Sequence, residues 1–307
     1  MMSGWLLLLV ALAYVGLLFT AAWWGERHPG WAQGPRARAA VYALAMAVYC
    51  SSWTFYGAVG TAARSGWGFL PIYLGPILLL LFGWRILERL VLASSRHRIV
   101  SIADFLSSRY GRARGLAAVV AILAVVAAIP YFALQFKAVG MSVGVLSGQP
   151  QAAAWYADPA LYVALMLAVF AILFGTRRID ATEHHRGMML AIALESLVKL
   201  VAFVAIGVLA LLHLQGGDAL SPRIAEGMQA FSLQRLPSGF LAQTLLAFAA
   251  IICLPRQFHV AVVECQDPAD LRPARWMFIG YLLLFSALVV PISLAGQALP
   301  GSGALSG

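Results

Sequence analysis

Eight apolar stretches, most of them long enough to cross a lipid bilayer, govern what this sequence can fold into. They occupy residues 4–24, 39–61, 69–91, 115–147, 160–175, 187–214, 239–263 and 276–299. Of the 307 residues, 62% are hydrophobic and only 11% charged, so a soluble domain built from them would lack the polar surface to stay dissolved. Backbone groups inside lipid find no water to bond, so each crossing segment must satisfy its own hydrogen bonds as a helix. The sequence therefore predicts an all-α, polytopic membrane protein with about eight transmembrane helices and the lipid bilayer as its first partner. A formal charge of +9 does not make it a nucleic-acid binder, because the arginines sit in short segments between apolar runs.

Those arginines set the topology. Sixteen fall on one set of alternate loops and three on the other, which places the N-terminus outside and the arginine-rich loops in the cytoplasm. The first stretch has no basic leader or small-residue cleavage site and ends in Trp23-Trp24, so it reads as a retained helix. The fourth is too long to stand upright, and Pro130 at its middle predicts a kink or a steep tilt. In the loop from Ser94 to Arg114, Ser101 is placed to cap a short helix that Gly111 stops. The polar segment from Gly216 to Ser238 has room for one short surface helix. The terminal Gly-Ser-Gly-Ala-Leu-Ser-Gly follows an outward-ending helix, as if a membrane domain broke off midway.

Polar residues inside the apolar stretches are the candidates for chemistry. Ser51, Ser52 and Thr54 lie at mid-depth in the second stretch, followed by Gly57 and Gly60, with Trp53, Phe55 and Tyr56 between them. Such a run suits a helix that unwinds to offer backbone groups to a ligand, and equally a close helix–helix contact. Glu195 and Lys199 are four residues apart and predict an ion pair, which reads first as mutual neutralisation. Lys137 has no nearby partner in sequence and is the stronger ligand candidate of the intramembrane charges. Pro255 interrupts the seventh stretch, and Arg256 either serves that break or marks the end of a short helix. Glu183, His184 and His185 lack metal-site spacing, as do Cys50, Cys253 and Cys265, so no metal is expected. No nucleophile with its base can be picked out and no phosphate-cradling loop is present, so this segment is not read as an enzyme and no cofactor is expected. An intramembrane enzyme using Glu195 or the Glu183-His184-His185 cluster and a scaffold bundle that binds no solute are the competing classes.

The order of these features resembles the sodium/solute symporter family, which includes proline, pantothenate and glucose symporters. The resemblance rests on Ser51-Ser52-Trp53 running to Gly60, Ile102-Ala-Asp104-Phe-Leu with Arg109-Tyr-Gly111, Gln135-Phe-Lys137, Phe174-Gly175-Thr176, and Leu254-Pro255-Arg256-Gln257-Phe258-His259. Tyr49 to Gly57 and Phe69 to Pro76 are most similar to the branch that forms the N-terminal domain of CbrA-type bacterial sensor histidine kinases. The resemblance implies a partial LeuT-like fold: an extra first helix, one full repeat, and the start of an inverted second repeat. It implies a small polar solute such as an amino acid (histidine by analogy with the branch), a bacterial inner membrane, and a cytoplasmic kinase domain with its response regulator as partners. A stand-alone sodium- or proton-coupled amino-acid symporter is the alternative. Carried over, the substrate residues are Ser51, Ser52, Trp53, Thr54, Tyr56, Gly57, Lys137 and Pro255. Sodium as coupling ion would meet the backbone carbonyls of Ala47 and Cys50. The family's ion carboxylate aligns with Tyr49, which is not an acid.

Overall fold

The computed structural model describes residues 4–28, 30, 34–148, 161–162, 164–165, 186–216, 222–232 and 236–299. Among them every regular element is helical. Four helices are long and apolar enough to cross a membrane: residues 5–27, 114–146, 186–215 and 268–298. Two helix pairs, bent by 55° at Leu70 and by 54° at Leu254, raise the number to six if each is one span. The expected eight is not reached among the described residues. Most of stretch 160–175 lies outside them, as do Phe174-Gly175-Thr176 and the Glu183-His184-His185 cluster.

The first helix, α1 (Gly4–Arg27), packs along α8 (Arg186–Gly216). Gly187 is needed there because a Cβ would run into the Ala22 carbonyl. The Glu26 carboxylate accepts from the Gly187 N–H at 2.9 Å, placing negative charge on the positive end of α8. The second stretch is not one helix. It divides into α2 (Pro35–Met46), a tight turn over Ala47–Tyr49, extended backbone at Cys50, a wide π turn over Trp53–Gly57, and α3 (Ala58–Ser65).

A second correction concerns the third stretch. Helix α4 (Pro71–Phe82) stops at Gly83, and α5 (Trp84–His97) is amphipathic, burying Leu87, Val91 and Ser94 at i, i+4 and i+7. Arg85 and Arg89 stay exposed on its other face, so residues 84–91 do not continue the membrane helix. As the sequence predicts, Ser101 caps α6 (Ile102–Arg109) by accepting from the Asp104 N–H at 3.1 Å, and Gly111 follows at φ 65°. The next helix, α7 (Arg114–Ser147), runs through Pro130 without a break. It is apolar on every side and largely unburied, with Ile122, Val125 and Ile129 all exposed. That surface needs lipid or further protein to cover it.

The remaining elements are α9 (Pro222–Gln229), α10 (Phe240–Cys253), α11 (Pro255–Phe258) with a π turn over His259–Val263, and α12 (Leu271–Ala298). The interior is built where α2, α8 and α12 meet, with α4 laid against α10 beside them. Tyr73, Phe203, Phe258, Phe278 and Met46 are fully buried there. The short α9 lies on α12, and the Trp67 indole donates to the Phe231 carbonyl at 2.6 Å just beyond it.

Candidate functional site

Two interruptions face each other inside this bundle. At the first, Cys50 takes φ −76° and ψ 95°, so the helical ladder stops between Tyr49 and Ser52. At the second, Leu254 takes φ −72° and ψ 124°, the extended backbone that a following proline imposes. Each break frees peptide groups that lipid cannot satisfy. Side chains from three other elements meet the first of them.

From α11, the fully buried Gln257 donates its amide to the Met46 carbonyl at 3.0 Å, tying the second break to the last turn of α2. From α8, the Lys199 ammonium donates to the Cys50 carbonyl at 3.0 Å while ion-paired to Glu195 at 3.1 Å. From α7, the Gln135 Oε1 accepts from the Ser52 hydroxyl at 2.6 Å and from its N–H at 3.3 Å. Tyrosines finish the frame. Tyr73 on α4 donates to the Thr54 carbonyl at 3.2 Å, and Tyr49 donates to the Ile72 carbonyl at 2.8 Å.

Helix α2 is fastened to the second broken segment along one face. Arg38, Tyr42 and Met46 recur every four residues and so line up. Arg38 grips Asp270 and Asp267, Tyr42 donates to the Ala261 carbonyl at 2.5 Å, and Met46 accepts from Gln257. A matching row runs along α7, where Tyr131, Gln135 and Ser142 share a face. Tyr131 accepts from Arg256 at 2.5 Å with the guanidinium also over its ring, and Ser142 bonds the Tyr56 hydroxyl at 2.7 Å.

Most of the residues expected from sequence gather here. Ala47 and Cys50 are buried at the break; Ser51 and Ser52 lie on it, and the Ser51 carbonyl accepts from the Thr54 N–H at 3.0 Å. Thr54 is buried in the π turn, and the Trp53 ring lies over Gly57, where a Cβ would come within 2.6 Å of it. Tyr56 is half exposed beside α7, and Pro255 opens α11. Lys137 is placed differently. It is exposed, two residues past Gln135 and so off the face that α7 turns to the break. The side chain of α7 that reaches the site is Gln135.

Sequence reasoning places Lys199 only in its ion pair and Gln135 and Gln257 only inside the resemblance motifs, and it selects none of them as a solute-site residue. A signal for Lys199 exists, since an ammonium has three donors and a single i, i+4 carboxylate does not use them all. Polar capacity is also left over. Among the described residues, Gln135 Nε2, Gln257 Oε1 and Ser196 Oγ are buried without a hydrogen-bond partner, a donor, an acceptor and a hydroxyl on the elements that meet at the breaks. Phe203 and Phe285 stack with ring centres 4.4 Å apart, and Phe55 meets Phe203 edge-on at 5.4 Å. This combination suits a small molecule with both donor and acceptor groups.

The Gln257 contact gives a direct expectation. Gln257→Leu removes the bond to the Met46 carbonyl, which still caps the turn over Ala47–Tyr49, and so costs about 0.5–1.5 kcal/mol with the loss of the tie between the breaks. Thermal melting of the purified variant measures it; a melting temperature equal to wild type would mean that Gln257 does not hold the two breaks together. Among the described residues no group of three or more His, Cys, Asp or Glu could hold a metal ion. No family model matches the chain, and no curated protein or solved structure matches it significantly.

Proposed function

We propose that this chain is the solute-binding membrane domain of a transporter-like protein, with the solute held between the two helix breaks. The observation that carries the proposal is the pairing of the breaks at Cys50 and Leu254, joined through Gln257 and Met46, with buried Gln135 and Gln257 atoms unpaired among the described residues. Irregular backbone at membrane depth is tolerated where it is buried in protein or lines a cavity, and transporters place solute sites at such points. The solute class is a small polar molecule such as an amino acid, with histidine the first to test. In this reading the chain is part of a LeuT-like fold of about eight spans, the stretch 160–175 among them. It lies in a bacterial inner membrane with the N-terminus outside, and acts as the sensory and transport part of a sensor histidine kinase. Rocking of α2 and its bonded second segment against the other helices would carry or report the solute.

The test is binding of labelled amino acids to the purified chain and their uptake into proteoliposomes. Ser52→Ala and Gln135→Leu should each weaken binding at least about tenfold, the loss of one well-placed hydrogen bond. Both should be expressed and eluted as wild type. Undiminished affinity in both variants would remove the Cys50 break as the solute site.

A further inference from the structure

We infer that the Lys199 ammonium is a cation built into the chain, standing where the fold resemblance places a coupling sodium, so that the Cys50 break is held without an external cation. The resemblance assigns sodium to the carbonyls of Ala47 and Cys50. Both oxygens already have protein donors: Ala47 accepts from the Cys50 N–H at 2.9 Å, and Cys50 accepts from Lys199 at 3.0 Å. Tyr49 offers no carboxylate, its hydroxyl being spent on the Ile72 carbonyl. A carbonyl oxygen can take a second partner, so it is the ammonium already at the Cys50 oxygen, with no carboxylate at position 49, that makes these residues a poor fit for a sodium ion.

They fit an ammonium. Lys199 points one donor at Glu195 and another at the Cys50 oxygen, which neutralises the charge and satisfies the carbonyl together. Tethering by the lysine stem spares the loss of translational freedom that a free ion suffers on binding. A sodium ion arriving at the same oxygen would sit at ionic contact with a like charge. Lys199 is thus a positioning residue that sets ion specificity. This rests on the solute-site reading only for its consequence, namely that solute binding needs no sodium.

The experiment leaves solute out. The detergent-solubilised 307-residue chain is melted in sodium chloride, methylammonium chloride or choline chloride at equal ionic strength. Wild type and Lys199→Arg should melt within about 1 °C of themselves in all three salts. Lys199→Ala should melt lower in choline and gain at least about 3 °C from sodium or methylammonium, which can enter the space the side chain leaves. A sodium-specific rise in wild type would overturn the inference. So would a Lys199→Ala protein that no small cation stabilises, including one that folds in none of the salts. A chain that passes these melts yet binds no amino acid refutes the proposed function and leaves this inference standing.

Discussion

Gly75→Leu should abolish folding. On α4, a Cβ at Gly75 would lie 2.6 Å from the Ala247 Cβ and against the Phe248 backbone of α10. Backbones approach this closely in membranes because small residues allow it, packing being what drives helix association there. Alanine at Gly75 must part the two helices slightly, an overpacking cost of about 1–3 kcal/mol. Leucine adds three more carbons to a backbone contact and should exceed about 4 kcal/mol, beyond the reserve of most domains. The damage reaches the site, because α4 carries Tyr73, which bonds Thr54, and α10 leads into the Leu254 break. Gly280→Ala is the control: a Cβ there would meet nothing within 4 Å, and alanine favours a helix over glycine. Size-exclusion profiles after detergent extraction decide the matter. A monodisperse Gly75→Leu peak at the wild-type position would show that the α4–α10 contact is not required.

Much of this arrangement is legible in the sequence, for identifiable reasons. Proline writes the second break, since Pro255 removes a donor and biases Leu254 to extended backbone. The hydroxyl-rich run at 51–54 marks the first, because serine and threonine side chains compete for backbone partners. The cap at Ser101 is a local pattern and is read locally. What stays hidden depends on rotation and distance. Helix α7 has apolar residues on every side and its few polar ones are spread over three turns, so the row of Tyr131, Gln135 and Ser142 that faces inward stands out only once their partners are seen. Residues 84–91 look like more membrane helix because Leu87, Leu90 and Val91 are apolar, whereas the stop at Gly83 and the exposed Arg85 and Arg89 separate them. The Lys199 contact spans 149 residues to Cys50, and no periodicity encodes it. The Arg38 contacts with Asp267 and Asp270 span 229 and 232 residues, and their arginine counts in sequence only as a topology charge.

That arginine supplies the second large effect. Arg38→Ala should destabilise the chain by about 3 kcal/mol, because it abandons a buried carboxylate. Arg38 bonds Asp270 through Nε and, at 2.9 Å, through Nη2, and reaches Asp267 with the same nitrogen at 2.9 Å. The two acids are unequal. The Asp270 side chain is 4% exposed and that of Asp267 is 44% exposed, so water replaces the arginine at the second but not at the first. Asp267→Asn, which keeps an oxygen to accept from the Ala269 N–H, should therefore cost less than about 1 kcal/mol. Arg38→Lys should recover only part of the loss, since an ammonium cannot form the two-pronged contact. Cys265 reports the opening directly. It is buried beside Asp267, and burial pushes its thiol pKa up to about 11, so the folded protein keeps it scarcely reactive. In a Cys253→Ala background, Arg38→Ala should raise maleimide labelling of Cys265 at least about tenfold, as the start of α2 detaches from the turn before α12. Labelling and melting both at the Cys253→Ala level would mean that the three-rung fastening of α2 begins at Tyr42, with Arg38 idle. The fastening of α2 would then lack its ionic end, and only the Tyr42 and Gln257 bonds would remain to join the two broken segments.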